Sequence, residues 1–163
     1  MSDITVDLTR LEAVHLRGLV NQFLDLLISS GDAAADPAIA RLVPNAYPDD
    51  ESAAAQFRAA AQPELLRRRT DDAAAVLADL TTAGDVTDPQ QLTAAEAVAD
   101  LTIPLDAART ASWMRTLAAV RLVLASRLGI TTEDDGDPED PRFGVYEWLG
   151  YRLDVLTRAA SGG

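Results

Sequence analysis

The apolar positions of residues 113–130 set the pattern for the chain. At about 100° per residue, Trp113, Leu117, Val120, Leu124 and Leu128 fall on one stripe with the spacing of a buried helix face. Leu122 points the opposite way, with Ala111, Ala118 and Ala125 beside it. A helix with one large-residue face and one small-residue face is covered on two sides, so the segment 107–128 reads as a central post. Asp106 is placed to cap its start. Gly129 supplies the left-handed residue at its end, with Ile130 folding back on Leu124.

Two other segments carry long helical patterns. Thr9 and Glu12 form a capping box ahead of a helix reaching about Ile28, closed by Ser29-Ser30-Gly31. Leu16, Leu19, Val20, Phe23 and Leu27 make its apolar face, and Arg10, Arg17, Asn21 and Asp25 face water. The last helix, roughly Phe143 to Ala160, carries the stripe Val145, Tyr146, Leu149, Leu153 and Leu156. Between them lies a connector, 31–50, holding one short helix after Asp36-Pro37. A helix opens at Asp49–Glu51, and Pro63 is expected to break or restart it. The helical repeat then continues through Leu66, Arg69, Ala73, Val76, Leu77 and Leu80 until Gly84. An exposed loop follows at 84–92, and Thr93 with Glu96 repeats the capping box. Residues 4–8 and 101–105 are both extended pieces placed to pair as a small sheet, with Pro104 holding its strand to an edge. The fold expected is mostly α: a single-domain helical bundle over 1–160 around the central helix at about 107–128. A two-stranded sheet from 4–8 and 101–105 accompanies it, and 161–163 form a disordered tail.

Composition removes several kinds of chemistry. The chain has no cysteine, so disulfides, thiolate nucleophiles and Cys-ligated metal are excluded. All fourteen basic side chains are arginine, which rules out a lysine Schiff base and a Walker A loop. The net charge of −12 disfavours a direct grip on the DNA backbone, which needs cations. The start, Met1 to Asp7, is acidic and lacks an apolar segment, so no signal peptide is expected, and no run is long enough for a membrane span. A cytoplasmic location follows as the expectation.

The candidate sites are few. His15 is the only histidine and lies at the edge of an apolar stripe with no serine near it in sequence, which favours a structural or surface role. The acidic loop 133–141 fails the EF-hand pattern and reads as a solvated loop with, at most, weak divalent binding. Arg67, Arg68 and Arg69 fan over about 200° of a helix and are expected to pair with Glu64, Asp71 or Asp72, with a phosphate or nucleic-acid contact as the alternative and a secondary place in a protein contact face. Arg121 and Arg127 flank the central stripe and are expected to form a structural ion pair with Asp49, Asp50 or Glu51. Trp148, Tyr151 and Val155 share a face apart from the core stripe, which suits either packing under the connector or a protein interface. The terminal Gly162-Gly163 lacks the β-rich body of a ubiquitin-like carrier and reads as a flexible end. No cofactor, metal or catalytic residue emerges, and the expectation is a protein that is not an enzyme.

Three motifs resemble a known family. Pro44-x-Ala46-Tyr47-x-Asp49-Asp50-Glu51 with Phe57-Arg58 is similar to its first half. Arg121-Leu122-Val123-Leu124-x-x-Arg127-Leu128-Gly129-Ile130 and Tyr146-Glu147-Trp148-Leu149-Gly150-Tyr151 are similar to its second. This is an actinobacterial family catalogued as a domain of unknown function and encoded beside the ClpS proteolytic adaptor. Some members are described as oxidative-stress transcriptional regulators. The resemblance implies a regulator acting through RNA polymerase or a sigma factor rather than through DNA. Its genomic neighbourhood suggests, as an alternative, an accessory factor in Clp-type protein turnover. A further alternative is a small-molecule binder or enzyme with a pocket near Arg121, Tyr47 and Asp50. A homodimer is compatible with all three. Two departures stand out. Ala118-Ala119 replace an Asn-Asp pair common in the family, and the absence of cysteine removes the thiol switch ascribed to it.

Overall fold

The computed structural model describes residues 4–29, 37–42, 47–84, 88–130 and 137–162. Along them run β1 (Ile4–Thr9), α1 (Arg10–Ser29), α2 (Pro37–Ala40), α3 (Glu51–Ala83), α4 (Ala94–Ala97), β2 (Asp100–Leu105), α5 (Ala107–Leu128) and α6 (Pro141–Gly162). A 3₁₀ turn at Pro89–Gln91 precedes α4. Gly31, Pro44, Ala46, Gly163 and residues 133–136 of the acidic loop lie outside the described residues.

Local chemistry explains most element boundaries. The Thr9–Glu12 box is reciprocal: the Thr9 N–H donates to Glu12 Oε1 at 2.9 Å and the Glu12 N–H to Thr9 Oγ1 at 3.1 Å. Thr93 and Glu96 repeat it at 3.3 and 3.1 Å. Asp106 caps α5 through the Arg109 N–H at 2.8 Å. Gly129 ends α5 at φ 72°, and the Ile130 N–H returns to the Ala125 carbonyl at 2.8 Å.

β1 and β2 are antiparallel, with Ile4 opposite Leu105, Val6 opposite Ile103 and Leu8 opposite Leu101. Val6, Leu8, Ile103 and Leu105 point into the core, while Thr5, Asp7, Thr102 and Pro104 alternate outward. The sheet expected from the sequence is present and one residue longer on each strand.

α5 packs against α1, α2, α3 and α6 and is the post of the molecule. Trp113, Leu117 and Val120 of its stripe are buried, with Leu124 and Leu128 half-buried. On the opposite flank Ala125 is buried, Ala111 and Leu122 are half-buried and Ala118 is exposed. Cover is therefore full over Trp113, Leu117 and Val120 and partial over the rest of that stripe and over the small-residue side.

Four sequence expectations need correction. Pro63 neither breaks nor restarts α3, which is continuous through it. Proline removes one N–H, and the Ala59 carbonyl left without it lies on a stretch exposed to water, which can replace the bond. α6 begins at Pro141 because Asp140 accepts from the Arg142 N–H at 2.9 Å and proline suits a first turn. It ends at Gly162, so Ser161 and Gly162, expected in a disordered tail, continue the helix. Arg10 and Arg17 are half-buried rather than water-facing. Arg10 pairs with Glu96 at 3.4 Å, and Arg17 donates to the Gly84 carbonyl at 3.4 Å.

Candidate functional site

α6 turns two faces in different directions. Leu149 and Leu156 are buried against the core. A second strip, Pro141, Gly144, Trp148, Tyr151 and Val155, follows the helix at alternating three- and four-residue steps. Tyr151 is 62% exposed and Val155 42%. Trp148 is half-buried.

Glu12, at the head of α1, fixes this strip in place. It accepts the Trp148 indole N–H at 2.6 Å and Arg152 Nη2 at 3.0 Å, while still closing its capping box. Arg152 also donates to the Asp7 carbonyl of β1 at 2.8 Å. Its guanidinium stands 5.6 Å from both the Trp148 and the Tyr151 ring centres. Burial alone would raise the Glu12 pKa. The bonds from the Thr9 N–H, Trp148 and Arg152, with the charge of Arg152, outweigh it and hold the carboxyl below its ordinary value. Glu12 is therefore an anchored carboxylate, not a free acid or base.

Two hollows flank the clasp. A small cleft of about 100 Å³ lies between β1 and α6, bounded by Val6, Leu8, Trp148, Arg152 and Val155. An open groove of about 710 Å³ separates α1 from α6, with Leu19, Val145 and Trp148 as apolar wall and Glu12, His15 and Gln22 as its polar members. The solitary His15 thus stands on a groove wall. Among the described residues that line the groove with it there is no serine, and the one carboxylate, Glu12, is already bound.

A second polar seam joins α3 to α5. Asp79 accepts the Trp113 indole N–H at 2.9 Å and Arg109 Nη1 at 2.7 Å. One heptad earlier, Asp72 accepts Ser112 Oγ at 3.0 Å and Arg115 at 2.8 Å and 3.0 Å. Asp72 likewise sits below its usual pKa. Burial raises it, and the Arg115 and Ser112 bonds with the charges of Arg115 and Arg69 prevail.

The other sequence candidates are scattered. Arg67 and Arg68 both reach Glu64, at 2.7 and 3.5 Å, as exposed pairs of the expected kind. Arg121 does not meet the acidic turn at Asp49–Glu51. Its guanidinium lies 4.0 Å from the Tyr146 ring centre, and its Nε donates to the Tyr146 carbonyl at 3.3 Å. Gly150 makes this possible, because a Cβ there would stand 2.8 Å from Arg121 Nε. Asp50 instead caps α3 through the Ala53 N–H at 3.0 Å. Tyr47 adopts φ 59° and meets Phe57 edge-on at 6.4 Å. Neither hollow beside α6 is lined by Arg121, Tyr47 or Asp50. Sequence reasoning missed Glu12, Asp79 and Arg152 as the residues that fix the two tryptophans. The available signal was that each indole needs an acceptor once its ring is covered.

Among the described residues no group of three or more His, Asp or Glu is arranged to hold a metal, and no helix is long and apolar enough to cross a membrane. The class that emerges is a mostly helical protein with a two-stranded antiparallel sheet, whose principal carboxylates tie helices together. Residues 2–160 match the family described as domain of unknown function (DUF2017), and the chain belongs to that family. No curated protein and no solved structure matches it.

Proposed function

We propose that this protein acts by holding another protein against the outer strip of α6, not by catalysis. The observation that carries the reading is the pairing of exposed Tyr151 and Val155 with a rigid backing: Glu12 and Arg152 fix Trp148 beneath them. Large side chains held in place lose little conformational freedom on binding, which is what makes aromatic and Arg anchors dominate interfaces. The charge of −12 opposes direct DNA binding. By the resemblance of the Tyr146–Tyr151 and Arg121–Ile130 motifs, the partner is a sigma factor or RNA polymerase and the role is transcriptional regulation in the cytoplasm. Without cysteine, control of that role is not thiol-based. The Arg67–Arg69 turn is secondary, since two of its members are engaged by Glu64.

The test is co-purification of RNA polymerase and sigma subunits with the wild-type chain and with a Tyr151→Ala/Val155→Asp variant. Capture falling about tenfold or more, at unchanged melting temperature, supports the reading. Undiminished capture overturns the site. Clp components taking the place of polymerase overturn the regulatory role in favour of protein turnover.

A further inference from the structure

The groove between α1 and α6 and the exposed strip of α6 share Trp148. On α6 the wall residues Pro141, Gly144 and Trp148 lead directly into Tyr151 and Val155. On α1 the wall steps through Glu12, His15, Leu19 and Gln22 at three, four and three residues. Glu12 meets Trp148 at one end, while Gln22 and Pro141 line the groove, so the two walls run antiparallel. Pro89 of the 3₁₀ turn completes the lining, and the apolar members Leu19, Val145 and Trp148 border a gap that an amphipathic helix can occupy.

The floor of that gap is open. A Cβ added at Gly18 or Gly144 would meet no heavy atom within 4 Å, so an incoming backbone can approach closely at both positions. Charge selects the kind of helix. Asp25 follows the lining residue Gln22 by three positions, Glu139 precedes Pro141 by two, and Glu147 directly precedes Trp148; all three are exposed, and none of the arginine pairs described above uses them. The nearby cations are already committed, Arg142 to Asp140 at 2.9 Å and Arg152 to Glu12 at 3.0 Å. Exposed carboxylates next in the chain to an apolar wall, on a protein of net charge −12, complement a cationic, amphipathic segment.

We propose that this groove binds a basic amphipathic helix of a protein partner, its apolar stripe on Leu19, Val145 and Trp148 and its flanking arginines or lysines paired with Asp25, Glu139 and Glu147. This rests on the reading of α6 as a protein-docking surface and adds the partner's secondary structure and charge. It also gives Gly18 and Gly144 a purpose that neither turn geometry nor core packing supplies.

The probe is a labelled synthetic helix of about 18 residues with leucines at helical spacing and lysines on both flanks, titrated into the full chain by fluorescence anisotropy. Two control peptides accompany it, one with scrambled leucine order and one with glutamate for lysine. The protein variants are Gly18→Leu and Gly144→Leu, which fill the floor while replacing glycine by a better helix former, so their melting temperatures hold or rise. Saturable binding of the basic helix alone, weakened about tenfold or more by either filled glycine, supports the proposal. Equal binding of the scrambled peptide, or undiminished binding to both filled variants, means general attraction to an acidic protein and overturns it. Should Tyr151→Ala/Val155→Asp still abolish polymerase capture while the basic helix ignores the groove, the groove falls and the wider docking reading stands. Loss of peptide binding in the filled variants, together with unaltered polymerase capture in the Tyr151/Val155 variant, upholds the groove and overturns the outer strip.

Discussion

The same trio of side chains is used twice, to different ends. Trp113, Asp79 and Arg109 join α5 to α3, while Trp148, Glu12 and Arg152 join α6 to α1. In each, an indole N–H and an arginine converge on one carboxylate. Trp113 has no exposed surface and stands at the middle of the molecule. Trp148 keeps part of its ring open, beside the groove. The chemistry of the trio therefore does not mark function; the solvent around it does. Where the ring is enclosed, the trio fixes the fold. Where it is left open, the trio stiffens a surface for something else to use.

The sharpest way to break that contrast is to remove each ring. Trp113→Ala is expected to cost about 3–5 kcal/mol in urea unfolding, because a buried indole leaves a cavity and Asp79 loses a donor. Trp148→Ala is expected to cost only about 1–2 kcal/mol, since a half-open site collapses or fills with water. Equal losses at the two positions would abolish the distinction. The carboxylates give a smaller difference. Asp79→Ala strands the buried Trp113 N–H and is expected to cost about 2–3 kcal/mol. Glu12→Gln leaves one acceptor oxygen where Glu12 uses two, so either the capping-box bond from Thr9 or the bond from Trp148 is lost, and the expected cost is about 1–2 kcal/mol.

Acid addresses both seams. Glu12 and Asp72 have folded pKa values below their ordinary ones, burial in each being outweighed by hydrogen bonds and arginine charge. Such groups contribute stability that is complete above the unfolded pKa of about 4 and is lost as pH drops through the lower folded value. Unfolding free energy is thus expected to decline below about pH 4, and Glu12→Gln to flatten part of that decline. An identical acid slope in wild type and variant would remove Glu12 from the account. The smallest effect is expected at Gly150→Ala. It displaces Arg121 from Tyr146, losing about 0.5–1 kcal/mol of cation–π contact, and regains a similar amount of helix propensity. Calorimetry showing a change much beyond about 1 kcal/mol would mean that Arg121 carries more than its stacking.

Which of these features can be read from the chain depends on the range of the interaction. Asp106, Gly129 and the two Thr-x-x-Glu boxes act within four residues of themselves, and the structure has them all. The sheet is legible because alternation at 4–8 and a proline at 104 are local too. Arg121 points toward Asp49–Glu51 on sequence grounds because opposite charge is the visible cue, whereas stacking on Tyr146 writes no charge signature. Asp72 and Asp79 look like ordinary members of a solvated helix face, and what approaches them comes from 30 to 43 residues away. Glu12 reads as a cap, yet its second task involves Trp148, 136 residues on. Trp148, Tyr151 and Val155 can be placed on one face, but a groove between two helices at opposite ends of the chain has no sequence pattern of its own.

The first half of α3 behaves differently from the second. From Glu51 to Arg68 only Ala54 is buried, and Pro63 withholds one rung of the backbone ladder midway. Beyond it, Asp72 and Asp79 bolt the same helix to α5. One uninterrupted rod is thus a limb at one end and a beam at the other. The limb is expected to open ahead of the beam, its amide protons exchanging with water well before those of the bolted half.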